Sequence, residues 1–306
     1  MLGFCGICRG ALVAGSDRSI PVPIKHLSDY PARRQGQTAP LISVVTCVRN
    51  GEAGIARTID SVAAQSVSGL EYIIVDGGST DGTLGIVRNC SAAIDFWQSE
   101  PDAGISDGLN KGIALSRGRY VALIHADDWL SPDQLLHSIE TLEASGADFV
   151  FGNLMLHNTR GPSHGLKGDS DYVKRISHIM PALNHPTVVV RRSAYQTHGL
   201  FNTDYRLAMD YELLLRFHRA GLKGVYDPRI TGHMSLDGVS EQRGIAALME
   251  VRRASIQHGY SRLLADLRFA YRVAKMTLRR SIQFAAPEKF THFLRALVNP
   301  SFRQLK

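Results

Sequence analysis

Long apolar runs and cysteines are both scarce in this chain of 306 residues. No stretch of eighteen or more apolar residues occurs, so the sequence predicts no bilayer-spanning helix. The apolar segment from Gly10 to Gly15 has Arg9 as its only nearby positive charge, and we do not interpret it as a secretory signal. Four cysteines are few for this length, which favours a reducing compartment.

Two further absences narrow the chemistry. Cys5 and Cys8 form a C-x-x-C pair, but no second pair of ligands follows at a spacing suited to structural zinc. The segment after the first predicted strand reads VRNGE. It is therefore neither the G-x-G-x-x-G loop of dehydrogenases nor the glycine-rich basic phosphate loop expected of a sugar-nucleotide-forming transferase.

The positive charge is concentrated near the C-terminus. The net charge is +7, yet twelve Lys and Arg residues lie between Arg252 and Lys306 against only Asp266 and Glu288. The rest of the chain is therefore slightly acidic. Aromatic residues are too sparse among these cations to predict stacking on nucleic-acid bases, so we expect no nucleic-acid partner.

Short apolar runs alternate with helical periodicity from Pro40 onward. The first strand reads LISVVTCV, the second YIIV and the fourth YVALI, and each is apolar enough to be buried on both faces. Helical spacing separates these runs, as in β-α-β units. The sequence thus predicts an α/β fold: a doubly wound, Rossmann-like, mostly parallel sheet with helices on both faces.

The chain divides into three predicted regions. Residues 1–39 lack a sustained period and form an irregular N-terminal arm; residues 40–243 form the catalytic domain; residues 244–306 form a basic, amphipathic helical region. Ser131-Pro132-Asp133-Gln134 predicts a capping box that opens a helix.

Acidic side chains follow the predicted strands at the edge where such sheets bind ligands. Asp127 and Asp128 come after the fourth strand, and adjacent carboxylates suit Mg²⁺ or Mn²⁺ held together with substrate phosphates. The alternative is a pair of acids that stabilises a helix start. Asp76 follows the second strand within DGGSTDGT, where it is placed to contact a nucleotide or simply to form a tight turn, and Asn50 follows the first strand.

Five motifs occur in order: VVTCVRN, YIIVDGGSTDGT, SEPDAGISDGLNKGI, YVALIHADDWLSPD and MDYELLLR. Together they closely resemble family 2 glycosyltransferases of the bacterial polysaccharide type. The resemblance runs from about Leu41 to Ser240 and implies a GT-A fold, inversion at the anomeric carbon and a nucleoside-diphosphate sugar donor. It places Thr46 and Asp76 at the base and ribose, and Asp127 with Asp128 at the metal.

The same resemblance assigns further donor contacts. It implies that Asp102, Asn110 and Lys111 surround the nucleotide and its phosphates. Two positions depart from the family pattern. Arg49 stands where many relatives have an aromatic residue, and Ser106 stands where they often have Tyr, which predicts a more open donor pocket.

One carboxylate is expected to act as the catalytic base. A metal-bound diphosphate leaves without being protonated, so a single acid that takes the acceptor's proton is sufficient. Asp210 lies near the start of a predicted helix on its apolar side, and we assign the base there. Glu212 precedes Arg216 by four residues, which predicts an exposed ion pair. The alternative for Asp210 is an acid that stabilises the helix start.

Two histidines are candidates for the same cleft. His185 matches a histidine common in this subgroup of the family and is expected on the acceptor side, unless it is a buried structural residue. His233 precedes a loop where related enzymes close over the donor. It is a candidate third metal ligand, although lone histidines are usually not ligands.

The C-terminal region supplies a separate hypothesis. Apolar residues recur at helical spacing among arginines between Met249 and Phe284, as in a helix that lies on an anionic membrane. The alternative is a pair of helices packed on the catalytic domain with a solvated basic face.

The sequence as a whole predicts a metal-dependent inverting transferase. We expect it to move a sugar from a nucleotide donor to a hydroxyl of a bacterial surface polysaccharide or lipid-linked glycan. The predicted location is cytoplasmic, with peripheral contact at the inner face of the plasma membrane. The alternative is a non-catalytic nucleotide-sugar-binding or membrane-associated scaffold of a glycan assembly complex, but such a scaffold would be expected to lose the acids at 127, 128 or 210.

Overall fold

The computed structural model describes residues 39–158, 162–177, 179–235 and 244–285. Their strands are β1 Ile42–Val48, β2 Leu70–Asp76, β3 Phe96–Ser99, β4 Tyr120–His125, β5 Asp128–Leu130, β6 Phe149–His157, β7 His164–Leu166, β8 Val189–Arg191 and β9 Gly224–Ser235. Their α-helices are α1 Ile55–Ala63, α2 Thr83–Asn89, α3 Ile105–Leu115, α4 Gln134–Ser145, α5 Tyr172–Arg175, α6 Arg192–His198, α7 Met209–Arg219, α8 Gly244–Gln257 and α9 Arg262–Ala285.

These strands form one nine-stranded mixed sheet with the order β3-β2-β1-β4-β8-β6-β9-β5, and β7 pairs with β6. The β3-β2-β1-β4 half is parallel throughout. In the other half β8 and β5 run antiparallel to their neighbours, while β6 and β9 are parallel. The sequence predicted the parallel half, and the mixed α/β fold is confirmed.

The sheet is covered on both faces because its central strands are apolar on both. In β1, Val45 and Cys47 enter the core that contains α3 and α7, whereas Val44 and Val48 enter the core that contains α1 and α4. A Cβ at Gly108 of α3 would overlap the sulfur of Cys47, so glycine allows α3 to lie close to β1.

The predicted capping box at Ser131 is only partly present. The Gln134 side chain accepts a hydrogen bond from the Ser131 backbone N–H at 3.3 Å. The Ser131 hydroxyl instead lies 2.9 Å from Nε2 of His233, and α4 begins after Asp133, which has a left-handed backbone with φ 56°. A long-range side-chain contact has therefore replaced the local cap.

The predicted exposed ion pair on α7 is wrong in its exposure. Glu212 is 3% exposed and accepts hydrogen bonds from Arg216 and, at 2.9 Å, from His258, which directly follows α8. Because α8 packs beside α7, the face of α7 that carries Glu212 is covered. No helix within the described ranges is both long and apolar enough to cross a membrane.

The N-terminal arm, including Cys5 and Cys8, lies outside the described residues apart from position 39. The loop 236–243 after His233, where closure over the donor is expected, also lies outside them.

Candidate functional site

Parallel pairing brings the polar loops after β1, β2 and β4 to one edge of the sheet. Val48 is in register with Asp76, and Cys47 is in register with both Val75 and His125. A cleft of about 340 Å³ opens there. Its walls include the loop after β1, the segment around Asp102, the end of β4 and the end of β9. This is the edge at which the sequence predicted a ligand site.

The acid pair occupies the turn between β4 and β5 at this cleft. Asp127 is exposed, while Asp128 is only 4% exposed. The buried hydroxyl of Thr58 in α1 lies 2.8 Å from the carbonyl oxygen of Ala126 and 2.7 Å from that of Asp128. Thr58 therefore fixes the turn that carries both acids to the first helix of the fold.

The surroundings of Asp128 favour a cation. Burial raises the pKa of this carboxyl to about 7; His185 and Arg57 oppose the shift, and the negative charges of Asp127 and Asp210 add to it. An oxygen donor set of this kind suits a hard divalent ion. In the described part of the chain, no group of three or more His, Cys, Asp or Glu residues could hold a metal by itself. The pair thus fits a metal whose remaining ligands come from substrate phosphates and water.

Asp210 reaches the same region from the first turn of α7. One of its carboxylate oxygens, Oδ1, lies 3.2 Å from Nδ1 of His185. The His185 ring stacks on that of His125, with 4.5 Å between centroids and 12° between planes. His125 in turn precedes Asp127 by two residues. The predicted base and the predicted acceptor-side histidine are therefore neighbours, linked to the acidic turn by a stack of two imidazoles.

Asp76 organises its own loop. It is 1% exposed, and its Oδ2 accepts hydrogen bonds from the backbone N–H groups of Gly78 and Ser79 and from the hydroxyl of Ser99. Asn50 has a left-handed backbone, φ 54°, and its side-chain oxygen accepts the Thr80 backbone N–H at 2.8 Å. The loops after β1 and β2 are thus bonded to each other without a ligand.

Of the remaining residues predicted to contact the donor, Asp102 lines the cleft, and the others are bonded to other parts of the protein. Asp102 lines the cleft, and its carboxylate caps the Gly104 N–H at 3.0 Å. The ammonium of Lys111 lies 2.7 Å from Glu100. Asn110 exchanges two hydrogen bonds with the backbone of Phe201, and Thr46 is fully buried with its hydroxyl 3.0 Å from that of Tyr72. Neither Asn110 nor Thr46 presents a free polar group to the cleft, so their nucleotide contacts stay predictions.

The two departures from the family pattern have different settings. Arg49 is exposed at the cleft. Ser106 is buried and donates its hydroxyl to the Tyr205 carbonyl at 3.2 Å. A second hollow beside the cleft lies between these residues and the Thr203–Arg206 segment.

Sequence reasoning missed a stack of side chains behind the acidic turn. The guanidinium of Arg57 lies 3.6 Å above the Trp129 ring, and the His233 ring stacks on that tryptophan at 5.0 Å. His233 also shares a 2.9 Å hydrogen bond with His157. Both of its ring nitrogens are therefore engaged by Ser131 and His157. The alternation of side chains along β5 was the available signal, because it directs Trp129 away from Asp128.

The C-terminal helices carry exposed apolar side chains. Leu263, Leu267, Tyr271 and Leu278 of α9 are each 58–69% exposed. On a helix these positions share one side. Ala265, on the opposite side, is buried. An apolar strip of this kind facing water is uncommon on a helix that packs against its own domain.

Comparison with known proteins agrees with this geometry. The profile of glycosyl transferase family 2 matches residues 43–217, more than half of the chain. An uncharacterized glycosyltransferase of Mycobacterium tuberculosis is 31% identical over 187 residues, which cover 58% of this chain and 69% of that protein. A PGL/p-HBAD biosynthesis glycosyltransferase of Mycobacterium bovis is 28% identical, covering 58% and 70%.

Solved structures share the fold. The mannosyltransferase PcManGT of Pyrobaculum calidifontis, in complex with GDP-Man and Mn²⁺, aligns with a TM-score of 0.58 at 17% identity, covering 85% of this chain and 79% of that one. TarS 1-349 of S. aureus, in complex with UDP-GlcNAc, aligns with a TM-score of 0.56 at 15% identity, covering 79% and 73%. These neighbours establish a GT-A architecture.

Proposed function

Because the chain belongs to glycosyl transferase family 2 and is a glycosyltransferase, we propose that it performs a metal-assisted, inverting transfer from a nucleoside-diphosphate sugar. The observation that carries this proposal is the meeting of Asp128 and Asp127 with Asp210 around the stacked rings of His125 and His185. Family membership and the named relatives set aside the alternative of a non-catalytic scaffold.

The donor is proposed from both the cleft and the neighbours. Two proteins of the same fold were solved with UDP-GlcNAc or with GDP-Man and Mn²⁺. In the present chain the donor would occupy the cleft between the loops after β1 and β2 and the acidic turn. The residues proposed to contact it are Thr46, Asn50, Asp76, Asp102, Asn110, Lys111 and Asp127.

Asp128, assisted by Asp127, would hold Mg²⁺ or Mn²⁺. A divalent ion bound there supplies positive charge that stabilises the departing diphosphate. The protein's own contribution is to keep one acid buried and the other exposed on a turn fixed by Thr58. Such pre-organisation lowers the cost of gathering charge at the moment of reaction.

Asp210 would act as the base. The acceptor hydroxyl gives its proton to the Asp210 carboxylate, and a lone pair of its oxygen forms the new bond to the anomeric carbon. The bond from that carbon to the phosphate oxygen breaks, and its electron pair leaves with the nucleoside diphosphate. Attack opposite to the leaving group inverts the anomeric configuration.

The acceptor is proposed as a hydroxyl of a bacterial surface polysaccharide or lipid-linked glycan. One relative is named for PGL/p-HBAD biosynthesis. The exposed apolar strip of α9 supports a membrane-proximal acceptor, because Arg268 and Lys275 lie along one edge of that strip, where anionic lipid would meet them. We therefore propose peripheral attachment to the cytoplasmic face, with residues 40–243 as the catalytic domain and 244–306 as the membrane-contacting region.

A donor screen tests the transferase proposal. Purified protein with Mn²⁺ or Mg²⁺ is incubated with UDP-, GDP- and TDP-sugars and lipid-linked acceptors, and released nucleoside diphosphate is measured. We expect one donor class to turn over. Asp210→Asn should lower kcat by roughly 1,000-fold because the base is lost, whereas Asp128→Asn should also weaken Mn²⁺ binding measured by calorimetry with nucleoside diphosphate present. Unchanged turnover in both variants would contradict the proposal.

A vesicle flotation assay tests the membrane contact. We expect the full chain to float with vesicles containing anionic phosphatidylglycerol and not with neutral phosphatidylcholine alone. The pair Leu267→Ser and Tyr271→Ser should weaken flotation because it removes apolar area from the strip. The matched control Val173→Ser alters an exposed apolar residue on α5. Flotation that is equal for all forms would overturn the assignment of α9.

A further inference from the structure

The turn that carries His185 is held from several sides by buried hydrogen bonds. The Asn184 side-chain amide donates to the Gly152 carbonyl at 2.7 Å, and the Gly152 N–H donates to the Thr187 hydroxyl at 2.9 Å. The Gln134 amide donates to the Pro186 carbonyl at 2.9 Å. These bonds fix the backbone on both sides of His185 to β6 and α4. The ring of His185 is thus presented by a rigid support.

That support places the ring between two partners. One face stacks on His125, and Nδ1 lies 3.2 Å from Oδ1 of Asp210. Three buried polar atoms at this place form no hydrogen bond with the described residues: Nδ1 of His125, Nε2 of His185 and Oδ1 of Asp210. Buried polar groups are usually hydrogen-bonded, because an unsatisfied one is costly. Their concentration around a proposed base indicates a functional arrangement.

We propose that His185 is a positioning residue for Asp210. Its imidazole lies 3.2 Å from Oδ1 as an ion-pair partner that orients the carboxylate and keeps it ionised, while Oδ1 accepts no hydrogen bond from the described residues and can take the acceptor's proton. This inference rests on the proposed function, in which Asp210 is the base. It changes the role of His185 from a contact to the acceptor into a group that acts through Asp210.

The electrostatic setting of Asp210 supports this role. Burial raises the pKa of Asp210, but the neighbouring His185, with a smaller contribution from His125, outweighs burial and lowers it. For His185, burial lowers the pKa, and the Asp210 carboxylate outweighs it and raises the value. The other titratable groups that face Asp210 are Asp128 on β5 and Tyr195 on α6. Among these groups, His185 is the one that both lies against Asp210 and favours its carboxylate form.

The pH dependence of catalysis gives a direct test. The acidic limb of kcat/KM combines the protonation of Asp210 with that of Asp128, whose pKa burial raises to about 7, so the pH profile is interpreted together with the separate effects on kcat and KM. In His185→Gln the cation is lost while an amide donor remains, so the pKa of Asp210 rises and the acidic limb moves up by about one pH unit or more. We expect kcat to fall by roughly 10- to 100-fold, with the donor KM unchanged. The matched control His218→Gln removes a histidine elsewhere on α7 and should retain the wild-type profile.

A measurement on an unaltered histidine guards against misfolding of the variant. The pKa of His185 is followed by nitrogen-15 NMR in the wild-type protein and in Asp210→Asn, and we expect it to be lower in the variant. If Asp210→Asn keeps full activity, the proposed base is wrong. If Asp210→Asn is inactive but the pKa of His185 and the acidic limb of His185→Gln match wild type, only the positioning role is overturned.

Discussion

Polar groups are bonded differently in two parts of the proposed site. The loops after β1 and β2 with α3 form its donor side, and the small pocket lined by Asp210 and His185 forms its α7 side. On the donor side, the carboxylate of Asp76 and the amides of Asn50 and Asn110 are engaged by loops of the protein itself. On the side of α7, buried atoms of Asp210, His185 and His125 form no hydrogen bond with the described residues. Leaving such an atom unsatisfied costs about 1 to 3 kcal/mol. Under the proposed mechanism, the donor side supplies shape, while the α7 side retains groups for proton transfer.

The largest expected effect is a loss of stability on substitution of Glu212. This residue is on α7, but unlike Asp210 its carboxylate is fully hydrogen-bonded within the protein. Glu212→Gln leaves Arg216 and His258 without a counter-charge, so we expect the free energy of unfolding in urea to fall by about 3 kcal/mol. The control is Glu140→Gln, which breaks an exposed ion pair and should lower the free energy of unfolding by less than about 1 kcal/mol. Turnover per folded molecule should survive in both variants.

The stability that Glu212 contributes should decrease as the pH falls. Burial raises the pKa of Glu212, but hydrogen bonds from His258 and Arg216 outweigh burial and lower it. A depressed folded-state pKa contributes stability above the unfolded value of about 4.3 and loses it as the pH falls further. The difference between wild type and Glu212→Gln should therefore shrink on acidification below about pH 4. An equal difference at neutral and acidic pH would contradict this origin.

The next effect concerns the donor side. Asp76→Ala removes the acceptor for Gly78, Ser79 and Ser99, and we expect a loss of about 2 kcal/mol in the free energy of unfolding. If the donor side supplies shape, the donor KM should rise more than kcat falls. Asp81→Ala changes an exposed acid of the same loop and serves as the comparison. If Asp76→Ala lowers kcat and leaves the donor KM unchanged, the proposal that the donor side supplies only shape would be contradicted.

A smaller loss of stability is expected when the hydroxyl of Thr58, which connects α1 to the acidic turn, is removed. Thr58→Val keeps the shape of the side chain but loses its hydrogen bonds to the Ala126 and Asp128 carbonyls, which should cost about 1 kcal/mol of stability. Mn²⁺ affinity, measured by calorimetry with nucleoside diphosphate, should fall severalfold. Thr58→Ser retains the hydroxyl and should retain the affinity. Equal affinities for the two variants would exclude Thr58 from organising the acid pair.

The smallest effect is expected at His233. Its ring nitrogens are engaged by Ser131 and His157, and burial lowers its pKa to about 4, with His157 and Arg57 adding to the shift. His233→Gln should therefore leave Mn²⁺ affinity within about twofold of wild type, which is a change of less than about 0.5 kcal/mol in the binding free energy. A loss of tenfold or more would restore the third-ligand hypothesis.

The parallel half of the sheet was predictable because its signals are local. The run Leu41–Val48 is mostly apolar and rich in β-branched residues, and the strand begins at Ile42, one residue later. By contrast, β9 contains Pro228 and exposed residues, and eight of its twelve residues pair with β6, which lies far away in sequence. No local period marks such a strand. The capping box at Ser131 failed for the same reason, since His233 lies 102 residues away.

The candidate site divides along the same line. Asp128 and Asp210 were predicted at one site from strand ends and helix periodicity; Asp128 lines the cleft, and Asp210 lines a small pocket together with His185. The partners of Asn110 and Thr46 could not be foreseen, because Phe201 and Tyr72 meet them only in the folded chain. Thr58 was missed because a hydroxyl within a helix has no distinctive pattern, whereas Trp129 could have been inferred from the alternation of side chains along β5.

The close approach of α3 to β1 at Gly108 has a practical consequence. The thiol of Cys47 lies beneath that helix at the base of the cleft, where burial, and then Asp102, Asp76 and Asp107, raise its pKa to about 12. Almost none of it is thiolate at neutral pH, so alkylating reagents should modify it only when α3 lifts away from the strand. The rate of Cys47 alkylation, followed by peptide mass spectrometry, would therefore report how often α3 separates from β1.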